Sequence, residues 1–300
     1  MSDEILDEMP ESPPRLRVGL VGVGRAGSVL AAALDAAGHR VVAVHAASER
    51  SRARAAEMLP RAAVVSIAEV FAAADLVLIT VPDDELPGLV EAIALADLAR
   101  PGQFVAHSSG RYGISVLAPL PEILPLALHP VMTLTGRPQD VDRLVGCPFG
   151  VTAPPPLEAV ASALVVEMGG EPMIVAEDRR SLYHAALAHS ANHLITLVTE
   201  AMDLLQLAGV AEPARMLGPL LSAALDNALA YGDRALTGPV SRGDSGTVAA
   251  HLGELEQVSP AMGDAYRALA RRTADRALAA GTLDPVLAAR LLEVLAARGS

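Results

Sequence analysis

The chain has 300 residues and a net charge of −12; 52% of it is hydrophobic, with aromatics supplying only 2%. This length allows one large or two ordinary domains, and the acidic balance argues against a nucleic-acid partner. No apolar run approaches the roughly 18 residues of a membrane span, and the single cysteine, Cys147, excludes an internal disulfide and fits a reducing cytoplasm.

Residues 1–12 carry five acidic and no basic side chains, and Pro13-Pro14 follow. Residues 1–14 therefore read as a disordered tail without the basic and apolar blocks of a signal peptide. From 15 to 177, short β runs alternate with helical stretches. This is the pattern of an α/β Rossmann domain with a doubly wound parallel sheet. The expected strands are 18–21, 40–45, 63–66, 75–81, 103–107, 126–128, 149–152 and 172–175. Continuous apolar runs of this kind suit strands buried on both faces. From 178 the chain reads as an all-α domain for substrate binding and dimerisation. Helices are expected over 178–208, 213–236 and from Asp244 or Ser245 to about 257, with Ser259-Pro260 and Asp284-Pro285 opening two more.

The first strand runs into Gly22-x-Gly24-x-x-Gly27 and then a small-residue helix over 28–37. A strand, three glycines at this spacing and a helix form a dinucleotide-binding turn. Gly22 permits the tight turn, Gly24 lets backbone approach a pyrophosphate, and Gly27 lets the helix pack closely. Val23, Arg25 and Ala26 complete the loop, whose free N–H groups attract an anion. A glycine-rich structural turn is the alternative. After the second strand, an acid that would bond a ribose 2′-OH is missing at 45–47, and Ser48-Glu49-Arg50-Ser51-Arg52-Ala53-Arg54 follows. Ser48 and Arg50 suit a 2′-phosphate, which favours NADP. Glu49 could bond a ribose instead, and the arginines could simply form a solvated helix face.

In parallel sheets ligands bind beyond the carboxyl ends of strands, so the residues there are the candidates. Val81 and Pro82 follow one strand, Ser108, Ser109 and Gly110 the next. His129, its backbone restrained by Pro130, follows another. His129 is the leading candidate for a proton shuttle, against a structural histidine. Ser108 and Ser109 could bond substrate or nicotinamide, or cap a turn. In the first long helix, His184, Ala188 and Asn192 share a stripe that could face a cleft. His189 and His193 have metal-ligand spacing, but no other Cys or His completes a site. Within TGPVSRGD, Arg242 could clamp a carboxylate, or pair with Asp244 while Asp244 or Ser245 caps the next helix.

VGLVGVGRAG, DLVLITVPDDEL, VAHSSGRYG, LHPVMTL, YHAALAHSANHL and TGPVSRGDSGTVAAHL, in this order, resemble the Rossmann-like proteins with a helical C-terminal domain of unknown function. The resemblance spans residues 16–296. It places the chain in the wider class of 6-phosphogluconate, prephenate and 3-hydroxyacid dehydrogenases and pyrroline-5-carboxylate reductases. It implies an NADP-dependent oxidoreductase reducing a small 2-oxo acid, with 2-dehydropantoate 2-reductase as the most concrete activity. A dehydrogenase of a prephenate-like hydroxy acid and a non-catalytic NADP sensor are the alternatives. Prephenate dehydrogenases likewise have a Ser after one strand and a His-Pro after the next, the His acting on the substrate hydroxyl. The 3-hydroxyacid dehydrogenases carry a lysine four residues before a helix Asn, where this chain has Ala188. Their lysine mechanism therefore does not transfer, and in a reductase His129, His184 or water would have to replace the lysine as proton donor. The resemblance and the Ala/Leu-rich helical half together imply a homodimer.

Overall fold

The structure, a computed structural model, describes residues 15–297. The acidic segment read as a disordered tail lies outside the described residues. An eight-stranded sheet has the order β3-β2-β1-β4-β5-β6-β7-β8. The strands are β1 (Arg17–Val21), β2 (Arg40–His45), β3 (Ala63–Val64), β4 (Leu76–Ile79), β5 (Phe104–His107), β6 (Leu124–Pro130), β7 (Pro148–Thr152) and β8 (Glu171–Ile174). The helices between them are α1 (Arg25–Ala36), α2 (Glu49–Met58), α3 (Ile67–Ala73), α4 (Leu86–Leu95) and α5 (Glu158–Glu167). One core layer packs α1, α2 and α5 on the sheet, and a second packs α3 and α4 on the opposite face. All four residues of β4 are buried, as its unbroken apolar run requires between two helical layers. Gly19 sits where a Cβ would lie 2.6 Å from Cγ1 of Val70, so α3 reaches the sheet only over a bare backbone.

The sheet departs from all-parallel expectation at one place: β6 and β7 are antiparallel, with His129 opposite Gly150. Between them the chain makes only 3₁₀ turns at Pro138–Asp140 and Asp142–Leu144. A parallel return needs a crossover of a dozen or more residues, usually helical, so β7 runs back instead. The α5 crossover then restores parallel pairing between β7 and β8. Other elements shift at their ends. α1 begins at Arg25, ahead of the expected start, and β6 is longer than the expected three residues.

The chain divides into two compact units between Ile195 and Thr196, inside the long helix α6 (Arg180–Leu207). The second unit continues with α7 (Pro213–Tyr231), α8 (Ser245–Val258), α9 (Pro260–Ala279) and α10 (Pro285–Ala296). α7 stops before the expected 236 because Gly232, at φ +57°, turns the chain out of the helix. The core of α8, α9 and α10 is built from Val248, Leu252, Leu291 and Leu295 against Ala270, Ala274 and Ala277. Asp284 caps α10 through the N–H groups of Val286 and Leu287, with Pro285 at its first position. Arg267 caps the other end, donating to the carbonyls of Leu295 and Ala297. Among the described residues no helix is long and apolar enough to cross a membrane.

Candidate functional site

Three glycines shape the turn after β1, each for its own reason. Gly22 sits at φ +91°, in the region L side chains avoid. A Cβ on Gly27 would lie 2.0 Å from Oγ1 of Thr80 and 2.7 Å from the Gly22 carbonyl, so only glycine lets α1 pack here. Gly24 has φ −79°, and a Cβ there would meet nothing nearer than the Thr80 carbonyl at 3.7 Å. The fold does not require that glycine. It borders a cleft of about 600 Å³ also lined by Val23, Val81 and Pro82. α1 has no side-chain cap, so the N–H groups of Arg25, Ala26 and Gly27 open the helix at its positive end.

At the β2 end of the cleft, the hydroxyl of Ser48 accepts the Ser51 N–H and caps α2. Arg52 donates to the Ala47 carbonyl at 3.1 Å and Arg54 to the Val23 carbonyl at 3.0 Å. Arg50 lines the cleft, is exposed, and among the described residues has no hydrogen-bond or ionic partner. Glu49 occupies the first turn of α2 and is not part of the cleft lining.

Beyond β5, the buried hydroxyl of Ser109 accepts the N–H groups of Arg111 and Tyr112, and so shapes a turn. The Ser108 N–H bonds the Ile79 carbonyl and ties this turn to the end of β4. His107 donates from Nε2 to the Gly113 carbonyl and receives the Ser109 N–H at Nδ1. Burial holds it neutral, with a pKa lowered to about 4, and the charge of Arg180 adds to the effect.

His129, His184, Ala188 and Asn192 are brought together around one cavity of about 310 Å³, with Met132 and Thr133. The rings of His129 and His184 meet edge to face, centroids 5.9 Å apart. Nδ1 of His129 lies 2.8 Å from the Tyr183 hydroxyl. Burial, then the positive charge of Arg180, then His184, lower the pKa of His129 to about 4, against a smaller opposing pull from Asp83. Arg180 is itself buried and donates to the carbonyls of Tyr112, Gly150 and Ser109 at 2.9, 3.0 and 2.7 Å. It thus stitches the turn after β5 to β7 beneath the histidines. Glu177 closes the same corner by accepting the N–H groups of Ile114 and Ser115.

Arg242 belongs to the second unit, where it is exposed. Asp244 there caps α8 through the Thr247 N–H and hydroxyl. His189 and His193 face each other on the exposed side of α6, Nδ1 to Nδ1 at 3.0 Å. Among the described residues no group of three or more His, Cys, Asp or Glu is placed to hold a metal. Cys147 is buried, which pushes its thiol pKa up and away from nucleophilic use. Sequence reasoning passed over Arg180, Tyr183 and His107. The one available signal was that Arg180, Tyr183 and His184 share the first turns of a helix whose stripe already contained a candidate.

Residues 6–130 match the Rossmann-like domain family, and residues 147–273 match the Domain of unknown function DUF2520. No curated protein sequence matches the chain. Among solved structures, a Bacteroides fragilis protein described provisionally as an NADP oxidoreductase is 22% identical, with TM-score 0.74 over 87% of this chain and 98% of its own. A Thermotoga maritima protein is 17% identical, with TM-score 0.63 over 88% and 99%. The 1-pyrroline-5-carboxylate reductase of Streptococcus pyogenes is 16% identical, with TM-score 0.60 over 88% and 98%. At these identities the likeness is one of fold. The glycine turn, the doubly wound sheet and the helices after it make this chain a Rossmann-like protein with a helical C-terminal DUF2520 domain.

Proposed function

We propose that the protein is an NADP-dependent oxidoreductase that reduces a small 2-oxo acid, with 2-dehydropantoate as the first substrate to try. The observation that carries this reading is Gly24, a glycine the fold does not need, at the rim of a cleft that ends on the uncapped start of α1. A dinucleotide fits this donor set. The N–H groups of Arg25, Ala26 and Gly27 would take the pyrophosphate, and Val81 and Pro82 would flank it. Arg50 supports NADP over NAD, because the other arginines of its run are engaged with carbonyls and Glu49 is off the cleft. When bound, the nicotinamide supplies hydride.

The chain's own part is to orient the substrate and polarise its oxygen. His129 is placed for this at the carboxyl edge of the sheet, in the cavity it shares with His184 and Asn192. The Bacteroides neighbour, described provisionally as an NADP oxidoreductase, and the Streptococcus 1-pyrroline-5-carboxylate reductase support the reading as a nicotinamide-dependent oxidoreductase.

We also propose that the working form is a homodimer paired through α6 and α7. Of the 28 residues of α6 only Arg180 is buried, and of the 19 of α7 only Pro213 and Leu217. Leu220 is 65% exposed and Leu229 79%. Apolar surface of this extent on successive helices is suited to a second copy presenting the same face.

The test is NADPH oxidation, followed by absorbance, with 2-dehydropantoate, a panel of 2-oxo acids, and NADH in parallel. Saturable turnover with NADPH and a 2-oxo acid is the expected result. Tight NADPH binding without turnover on any acid would overturn the reductase reading.

A further inference from the structure

The last residue of β2 is His45, at the first of the positions where an acid that would bond a ribose hydroxyl is missing. It is held from two sides. Its carbonyl accepts the Gly22 N–H at 3.2 Å, which ties it to the glycine turn, and its Nδ1 lies 3.0 Å from the Val65 carbonyl. Val65 is itself fixed beside β2, its N–H bonding the Val44 carbonyl. The ring is half-buried and lines the cleft that Gly24, Ser48 and Arg50 also border.

A carbonyl oxygen only accepts, so the hydrogen of the bond to Val65 sits on Nδ1 of His45. Nε2 has no protein partner among the described residues. Nor is it sealed away, because Nε of Arg267 is the only fully enclosed side-chain nitrogen or oxygen left unbonded among them. In the neutral ring Nε2 is a bare lone pair that accepts from a hydroxyl; in the cation it is a donor. A ribose 2′-OH can meet either form. A 2′-phosphate above its second pKa of about 6 has no hydrogen to give, so it repels the lone pair and bonds only the cation.

We propose that His45 reads the adenosine ribose of the cofactor in place of the missing acid, taking up a proton at Nε2 when a 2′-phosphate binds and none when a 2′-OH binds. The inference rests on the dinucleotide reading above and adds a proton to it: NADPH binding becomes linked to pH, and NADH binding does not. Charges of both signs surround the ring. From α2, Arg50 and Arg54 line the same cleft, and Arg52 donates to the Ala47 carbonyl two residues on from His45. From the turn into α4, Asp84 and Glu85 line it as well. From α3, Glu69 accepts the N–H and hydroxyl of Ser66, next to Val65. A bound phosphate dianion adds two negative charges to this setting and favours the cation.

The decisive measurement is isothermal titration calorimetry of NADPH and of NADH with the full-length protein at pH 7.5, each in two buffers of different ionisation enthalpy, which counts the protons exchanged on binding. The expected result is uptake of about half a proton or more with NADPH and about none with NADH. The NADPH Kd should then weaken about tenfold between pH 7 and pH 8.5, while the NADH Kd stays within about twofold. His45→Asn keeps an N–H for the Val65 carbonyl but has no atom at the place of Nε2. It should bind NADPH more weakly at pH 7 and without proton uptake. NADPH binding with no uptake, equal uptake with both cofactors, or uptake that survives in His45→Asn would overturn the proposal. Should the variant not fold or NADH not bind, the wild-type NADPH count decides alone. Binding of neither cofactor would sink the dinucleotide reading and this proposal together, a result distinct from NADPH binding without a proton.

Discussion

Thr80 occupies the space that a side chain on Gly27 would need. Its hydroxyl donates to the Gly22 carbonyl, and its Oγ1 lies 2.0 Å from where a Gly27 Cβ would be. The end of β4 thus holds the glycine turn of β1 closed from beneath. Gly27→Ala must push Thr80 or α1 aside. The expected cost is about 1–3 kcal/mol of stability, together with at least about a tenfold weaker NADPH Kd as the first-turn N–H groups tilt. Denaturant unfolding and fluorescence titration of NADPH check the two effects. Unchanged values for both would contradict the close packing.

Arg50 is expected to set the choice of cofactor. If it meets a 2′-phosphate, Arg50→Ala removes one charge-assisted contact, worth about 1.5–3 kcal/mol. The NADPH Kd should rise by about ten- to a hundredfold while the NADH Kd stays within about twofold. Equal loss for both cofactors would remove Arg50 from the phosphate site.

Acid should weaken the fold before its carboxylates titrate. His107 and His129 each have a folded pKa of about 4, against 6.5 for the free side chain. Burial is the first cause in both and Arg180 pushes both the same way; the Gly113 carbonyl is the main opposition at His107, with Asp83 and Glu177 behind it, and Asp83 opposes at His129. The unfolded chain therefore binds these protons first. Above pH about 6.5 both histidines are neutral in either state and contribute nothing to the slope. Between about 6.5 and 4 each subtracts stability, by up to about 3 kcal/mol apiece. A urea midpoint that falls between pH 7 and pH 5, and falls less in His129→Asn, is the expected result. A midpoint flat over that interval would contradict it.

The exposed faces of α6 and α7 predict a solution mass of twice the chain. Leu220→Glu together with Leu229→Glu should give a monomer with helix content intact, because neither residue is buried within the chain. Light scattering and far-UV circular dichroism check this. A wild-type monomer would refute the dimer directly.

Much of the fold was legible because local chemistry and tertiary packing agree there. β1, the glycine turn and α1 are readable from one short stretch: the apolar run must be buried, Gly22 must take a positive φ, and the helix has few large side chains. Asp284-Pro285 could be read as a helix start because a cap is a contact among near neighbours. The reversal of β7 could not be read, since the direction of a strand depends on how the chain returns and not on its own residues.

The candidate site divides in the same way. His129 stands out in sequence because it ends an apolar run beside a proline, and the helical spacing of His184 and Asn192 marks a stripe. That these residues share one cavity is a result of tertiary packing. So is the use of Arg180 and Tyr183, which lie far along the chain from Ser109, Gly150 and His129 and look like ordinary helix residues until the fold closes. The sequence by itself determined which side chains are available and the backbone turn at Gly22. Only the tertiary structure decided which of them are desolvated together, and desolvation beside a buried arginine is what keeps His129 neutral.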